Sequence, residues 1–176
     1  MSGRPLDFDP GARYAYCNYG YCVLGRLIEQ VSGQPYDDYV RRAVLAPLGI
    51  TRMQLGKTLR SGRVAGEVCY YEPGTERLPA VLGPEFGQPV PLPYGAWCLE
   101  TMDAHGGWIA SAVDLVRLAG ALDDPERSPL RQAASLTQMV ARPAGLAGYD
   151  AAGQPSPTYY GLGWFVRPVG RNEVQR

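Results

Sequence analysis

Lysine and histidine are nearly absent from this chain: Lys57 and His105 are the only ones in 176 residues, and every other basic residue is arginine. With 17 basic against 17 acidic residues the formal net charge is zero. A nucleic-acid partner is therefore not expected, because binding phosphates draws on a net basic surface. The pair Arg41-Arg42 lies next to Asp37-Asp38 and reads as a solvated helix face. Cys17, Cys22, Cys69 and Cys98 contain no C-x-x-C pair, and one histidine does not complete a common zinc set. No metal and no cofactor are expected, and free thiols are the default. Cys17 and Cys22 straddle a helix start and read as small buried hydrophobes. No apolar run approaches the ~18 residues of a membrane span. The first seven residues hold no apolar h-region, so no signal peptide is visible, and no internal repeat is apparent.

What is present is a globular composition. Hydrophobic residues make up 45% and charged residues 19%, which fits a chain able to bury a core rather than a disordered one. Glycine (22) and proline (16) are frequent, yet together below the roughly 25–30% of low-complexity sequence. Many long connections between few regular elements are expected.

Asp9-Pro10-Gly11 is a turn signal ahead of the aromatic run Tyr14, Tyr16, Tyr19, Tyr21. Val23, Leu24, Leu27, Ile28 and Val31 then recur at helical spacing, with Gly33 as the stop. A second helix opens at Pro35, carries Tyr36, Tyr39, Val40, Ala43 and Val44 as its buried stripe, and closes at Pro47-Leu48-Gly49. Val68–Tyr71 reads as a short strand, and the prolines of 84–93 as an extended loop. Ser111 stands three residues before Asp114, like a capping box, and Leu115, Leu118, Ala119 and Leu122 follow at i, i+3, i+4 and i+7. A fourth helix is expected from Ser128-Pro129 to about Ala141, with Ala133, Leu136, Met139 and Val140 on its apolar side. Gly161–Val166 is the best strand candidate. A lone strand exposes unpaired backbone groups, so either this is not a strand or the rest of its sheet lies outside the chain.

Several segments carry a resemblance. Pro10-Gly11-x-x-Tyr14-x-Tyr16-Cys17-Asn18-Tyr19-Gly20-Tyr21 is followed by Leu24-Gly25-x-x-Ile28-Glu29-x-Val31-Ser32-Gly33-x-Pro35-Tyr36. Pro47-Leu48-Gly49-Ile50-Thr51, Gly106-Gly107-Trp108-x-x-Ser111-x-x-Asp114-Leu115 and Tyr160-Gly161-Leu162-Gly163-Trp164 come after it in order. Together they resemble the class C β-lactamase-like family of serine hydrolases, which includes D-alanyl-D-alanine carboxypeptidases and esterases. The resemblance implies an α+β fold: the mostly helical middle portion of a β-lactamase/transpeptidase-like fold, with most of the central antiparallel sheet missing from this chain. It further implies one incomplete domain over 1–176, helical over about 19–142, a loop at 143–158 and a sheet strand at about 160–169.

Such enzymes take their nucleophile and a lysine from Ser-x-x-Lys, a phenol and an amide from Tyr-x-Asn, and finish the pocket with Lys-Thr-Gly or His-x-Gly. A serine hydroxyl attacks only when a base takes its proton, and a phenol of ordinary pKa ~10 serves as that base only beside positive charge. By resemblance, Tyr16 is the proton shuttle, and Asn18 orients the substrate amide or holds the lysine. The substrate is a β-lactam, a D-amino-acid peptide or an ester, and the family suggests a periplasmic or secreted location.

The chain departs from the pattern twice. No serine is followed three residues later by lysine (Lys57 follows Gln54), and neither third motif comes after Trp164. Lys57-Thr58-Leu59 precedes the Gly106-Gly107 segment and so stands on the wrong side of it, while His105-Gly106-Gly107 matches a structural family segment with a tight turn. A cysteine nucleophile at Cys17 lacks any base but His105. Asn18 also suits an N-cap for a helix beginning at Tyr19, and Tyr16 a core aromatic. Two functions stay open: a piece of a serine acyl-transfer hydrolase, or a truncated non-catalytic remnant, pseudoenzyme or binding module.

Overall fold

The computed structural model describes residues 3, 5–124, 126, 128, 132–169 and 173–175. They group into two compact units, Cys17–Gly120 and Met1–Tyr16 with Ala121–Arg176. Four α-helices and three small antiparallel sheets are found among them.

In the unit Cys17–Gly120 the first helix, α1, spans Asn18–Ser32. It stops where expected: Gly33 takes φ 66°, a left-handed conformation open to glycine, and its N–H donates to Glu29 O at 2.8 Å. The start differs. Cys17 is the cap, its Sγ accepting from Gly20 N at 3.3 Å, and Asn18 is the first helical residue. Cys17 is exposed and Cys22 half-buried, so neither is the buried hydrophobe that its neighbours suggest.

Helix α2, Tyr36–Val40, follows Pro35 and is pinned by an Arg41–Asp37 ion pair at 2.7 Å. It runs on through a π-helical turn, Arg41–Leu45, and a 3-10 turn, Ala46–Leu48, to Gly49 at φ 67°. Its expected stripe is only half-buried, and the deepest side chain is Leu45 at 2% exposure.

Strand β1, Gln54–Leu55, pairs antiparallel with β4, Trp108–Ile109. Between them β2, Arg77–Pro79, pairs with β3, Pro89–Pro91, in the register Leu78↔Val90. This corrects the extended loop expected for 84–93. In a two-stranded ladder every strand is an edge, so prolines that cannot donate are tolerated. Val90 points inward beside Ala80 and Ala96, with Leu78 and Leu92 packed against that cluster. The strand expected at 68–71 is not formed; Val68 and Tyr71 are exposed in a segment without ladder bonds.

Helix α3, Ala112–Asp123, opens on the expected Ser111 hydroxyl, which accepts from Asp114 N at 3.1 Å. Its burial departs from the apolar spacing. Asp114 and Ala121 are buried, Leu118 and Leu122 half-buried, and Leu115 and Ala119 exposed.

In the other unit α4 spans Ala133–Met139. The expected start at Ser128-Pro129 lies partly outside the described residues. The strand expected at 161–166 is moved and is not partnerless. Strand β6, Phe165–Val169, lies between β5, Tyr159–Tyr160, and β7, Glu173–Gln175. Gly161–Trp164 is the turn joining β5 to β6, closed by Gly161 N to Trp164 O at 2.7 Å with Gly163 at φ 83°. Val166 is 1% exposed.

The loop at 143–158 is fastened by Arg142 and by Asp150, whose Oδ1 accepts from Ala152 N and Gln154 N at 2.9 and 2.8 Å. Arg142 donates to Ser156 O at 2.6 Å and Gly148 O at 2.8 Å, with its guanidinium 4.2 Å from the Tyr159 ring centre.

Candidate active site

Both site residues implied by the resemblance lie at the surface. Tyr16 is 78% exposed, immediately before the cap of α1, and its hydroxyl has no hydrogen-bond partner among the described residues. It is not packed into a core formed by the described residues. Asn18 is exposed on the first turn of α1, and its side chain is not the cap. The division between the two units falls directly after Tyr16.

The other candidates are occupied structurally. Thr58, of the Lys57-Thr58-Leu59 segment, is buried, and its hydroxyl bonds the Glu100 carboxylate while accepting from Leu99 N at 2.8 Å. Thr58 N donates to the other Glu100 oxygen at 3.2 Å. Desolvation pushes the Glu100 pKa up, but the Thr58 bonds, backbone bonds and nearby Lys57 outweigh it and hold the carboxyl below its ordinary value. This locks a loop crossing and leaves Thr58 no free donor for a substrate. His105 N–H and Gly107 N both donate to Met102 O, at 3.1 and 2.9 Å. A side-chain carbon on Gly107 would lie 2.8 Å from Leu99 O. His105-Gly106-Gly107 is thus a tight turn leading into β4. Among the described residues no group of three or more His, Cys, Asp or Glu could hold a metal ion. No described helix is long and apolar enough to cross a membrane.

Behind the motif, sequence reading missed a polar cluster that fixes the rotation of α1. Arg26 donates to Asp103, a carboxylate 7% exposed, and pairs with Glu29 at 3.1 Å. Glu29 Oε1 accepts from Tyr36 N at 3.0 Å, and Asp103 Oδ1 accepts from Ala104 N at 2.7 Å. The hydrogen bond to Asp103 is the main cause that raises the Arg26 pKa above its ordinary value. Burial chiefly pushes the Tyr36 phenol up. The i, i+3 spacing of Arg26 and Glu29 was the only available signal, and it does not reveal Asp103, 77 residues away.

A family model described as Beta-lactamase matches residues 1–174. The chain belongs to the β-lactamase family. In sequence it is 31% identical over 148 residues to penicillin-binding protein 4 of Amycolatopsis lactamdurans, covering 79% of this chain and 34% of that protein. Among solved structures, a penicillin binding protein from Bacillus halodurans superposes with TM-score 0.64 at 19% identity, over 98% of this chain and 45% of that one. A D-amino acid amidase from Ochrobactrum anthropi SV3, complexed with D-phenylalanine, gives TM-score 0.53 at 24% identity, over 89% and 41%. The chain therefore spans less than half the length of these β-lactamase-family relatives. Its helices and small antiparallel sheets are part of the β-lactamase/transpeptidase-like α+β fold.

Proposed function

We propose that this chain supplies the Tyr-x-Asn element, Tyr16 and Asn18, of a serine acyl-transfer hydrolase, and that further polypeptide of the same fold supplies the serine and lysine. The substrate is a small molecule or peptide with an acyl bond: a β-lactam, a D-amino-acid peptide or amide, or an ester. The supporting observation is that Tyr16 and Asn18 are both exposed and belong to the first of five family segments that follow one another in family order. A substrate-facing phenol needs that accessibility; a core tyrosine does not.

In this reading the Tyr16 phenolate takes the serine proton as the serine oxygen adds to the acyl carbon. The proton then passes to the departing nitrogen or oxygen as that bond breaks, and water releases the acyl group by the reverse relay. The Asn18 amide orients the substrate by donating to its acyl-side carbonyl. No serine of the chain has the lysine partner, so the 176 residues alone are expected to show no turnover.

The test joins the chain to the residues of the Amycolatopsis lactamdurans protein that flank the matched stretch, and follows labelling by a fluorescent penicillin. Tyr16→Phe is expected to slow acylation by about 10²–10⁴-fold, the range for a lost general base. An unchanged rate overturns the role. The second reading, a non-catalytic remnant or binding module, is favoured by the absence of Ser-x-x-Lys. Failure of the joined protein to be labelled while still folding supports it.

A further inference from the structure

Residues 68–71, expected as a strand, leave Tyr70 and Tyr71 outside any ladder, where they border a hollow of about 290 Å³ in the unit Cys17–Gly120. The rim of this hollow is held in place. Tyr94 Oη accepts from Tyr70 N at 2.8 Å, and the two rings lie 6.1 Å apart. The Arg60 guanidinium stands 5.6 Å from the centre of the Tyr94 ring. A ring face attracts a cation without neutralising it, so Arg60 is oriented while its N–H groups stay free to donate. Arg77 comes from strand β2, where its neighbour Leu78 packs against the Ala80–Val90–Ala96 cluster and alternation turns Arg77 outward. Glu72 and Glu76 line the same hollow. All four charged side chains are exposed, and none is ion-paired among the described residues.

We propose that this hollow binds a zwitterion, a free amino acid or short peptide, with its carboxylate on Arg60 and Arg77, its ammonium on Glu72 and Glu76, and its body against the Tyr71 and Tyr94 rings. The presence of both signs decides the class. Two arginines alone would take any anion, whereas two glutamates in the same hollow disfavour an anion that brings no positive charge of its own. A zwitterion gives every one of the four a partner. Guanidinium groups suit a carboxylate through paired N–H donors, and an ammonium is drawn both to carboxylates and to the face of a tyrosine ring. Size agrees, because about 290 Å³ lies at the lower end of the roughly 300–1,000 Å³ of small-molecule sites, enough for about one or two amino-acid residues. The hollow shares no residue with Tyr16 and Asn18, so it stands independently of the catalytic reading.

The probe is the dipeptide alanyl-phenylalanine, titrated into the isotope-labelled 176-residue chain and followed by NMR chemical shifts. Saturable shifts centred on the amides of 69–77 and Tyr94 are expected, with Kd of about 1 mM or tighter for a ligand of this size. Acetylating its amine or amidating its carboxylate is each expected to weaken binding at least ~5-fold, since each removes one charge-assisted contact. Acetate alone is expected not to saturate the site. These arms use no variant, so they decide the matter even where a substitution disturbs folding. Arg60→Gln with Arg77→Gln is expected to weaken the free dipeptide at least ~10-fold and to erase the cost of amidation while keeping that of acetylation. Glu72→Gln with Glu76→Gln is expected to do the reverse. No saturable shift, shifts centred elsewhere, or a capped dipeptide that binds as tightly as the free one overturns the proposal. Acetate binding as tightly as the dipeptide also overturns it, by making the hollow a plain anion site, and so does a variant pair that erases both costs or neither. Penicillin labelling reads the role of Tyr16 separately, so failure here leaves that reading standing.

Discussion

The two sides of helix α1 differ in a way its sequence alone does not announce. One side carries the buried Gly25 with Arg26 and Glu29, whose polar ends bond Asp103 and Tyr36 N, and is the one held to the unit. The other is made of Leu24, Leu27 and Val31, and is the exposed one. In an ordinary surface helix the apolar stripe faces the core. Here a glycine and an ion pair face the unit while the leucines face water. Close approach of the helix to Ala104 at Gly25 supplies the cover on the packed side. The difference teaches that an apolar stripe identifies a surface requiring cover, without identifying what covers it.

Substitutions on the two sides are therefore expected to act in opposite order to their hydrophobicity. The largest effect belongs to Gly25→Val, which forces carbons into Ala104. A loss of about 3 kcal/mol or more is expected from overpacking a site fixed by backbone on both partners, read as collapse of the cooperative melt by circular dichroism. Arg26→Ala comes next. It leaves Asp103 with only the Ala104 N–H, and a loss of about 2 kcal/mol is expected for a buried carboxylate deprived of its charged donor. Urea titration checks it, and restoration by Asp103→Asn in the Arg26→Ala background would show that the unpaired charge causes the loss. Leu27→Asp, chemically the harshest of the three, is expected to change the stability of the isolated chain by no more than about 0.5 kcal/mol. A large loss there would place Leu27 in a core and break the comparison.

Legibility follows the same division. Helices α1, α2 and α3 were readable because their periodicity has local punctuation: Gly33 and Gly49 in left-handed conformations, Pro35 before α2, the Ser111 hydroxyl before α3. The ladder β2–β3 was not, since Pro79, Pro89 and Pro91 argue against a strand unless both strands are known to be edges. The pairing of β6 with β5 and β7 was missed because Gly161–Trp164, read as strand, is the hairpin turn. Arg142 fastening 143–158 depends on Tyr159 and Ser156, which sequence proximity does not bring together. Cys17 as the cap was missed because thiol acceptors are weak and the oxygen-bearing Asn18 stands next to it. For Tyr16 and Asn18 the sequence carried the resemblance and the order of segments. Their exposure came only from the fold, as did the outward face of α1.

Hydroxyl-radical footprinting of the 176-residue chain, read residue by residue by mass spectrometry, tests the outward-facing helix most directly. Leu24, Leu27 and Val31 are expected to be oxidised at rates typical of solvent-facing side chains, while Leu45 and Val166 in the same sample stay protected. Protection of Leu27 and Val31 to the level of Leu45 in the monomeric chain would contradict the account.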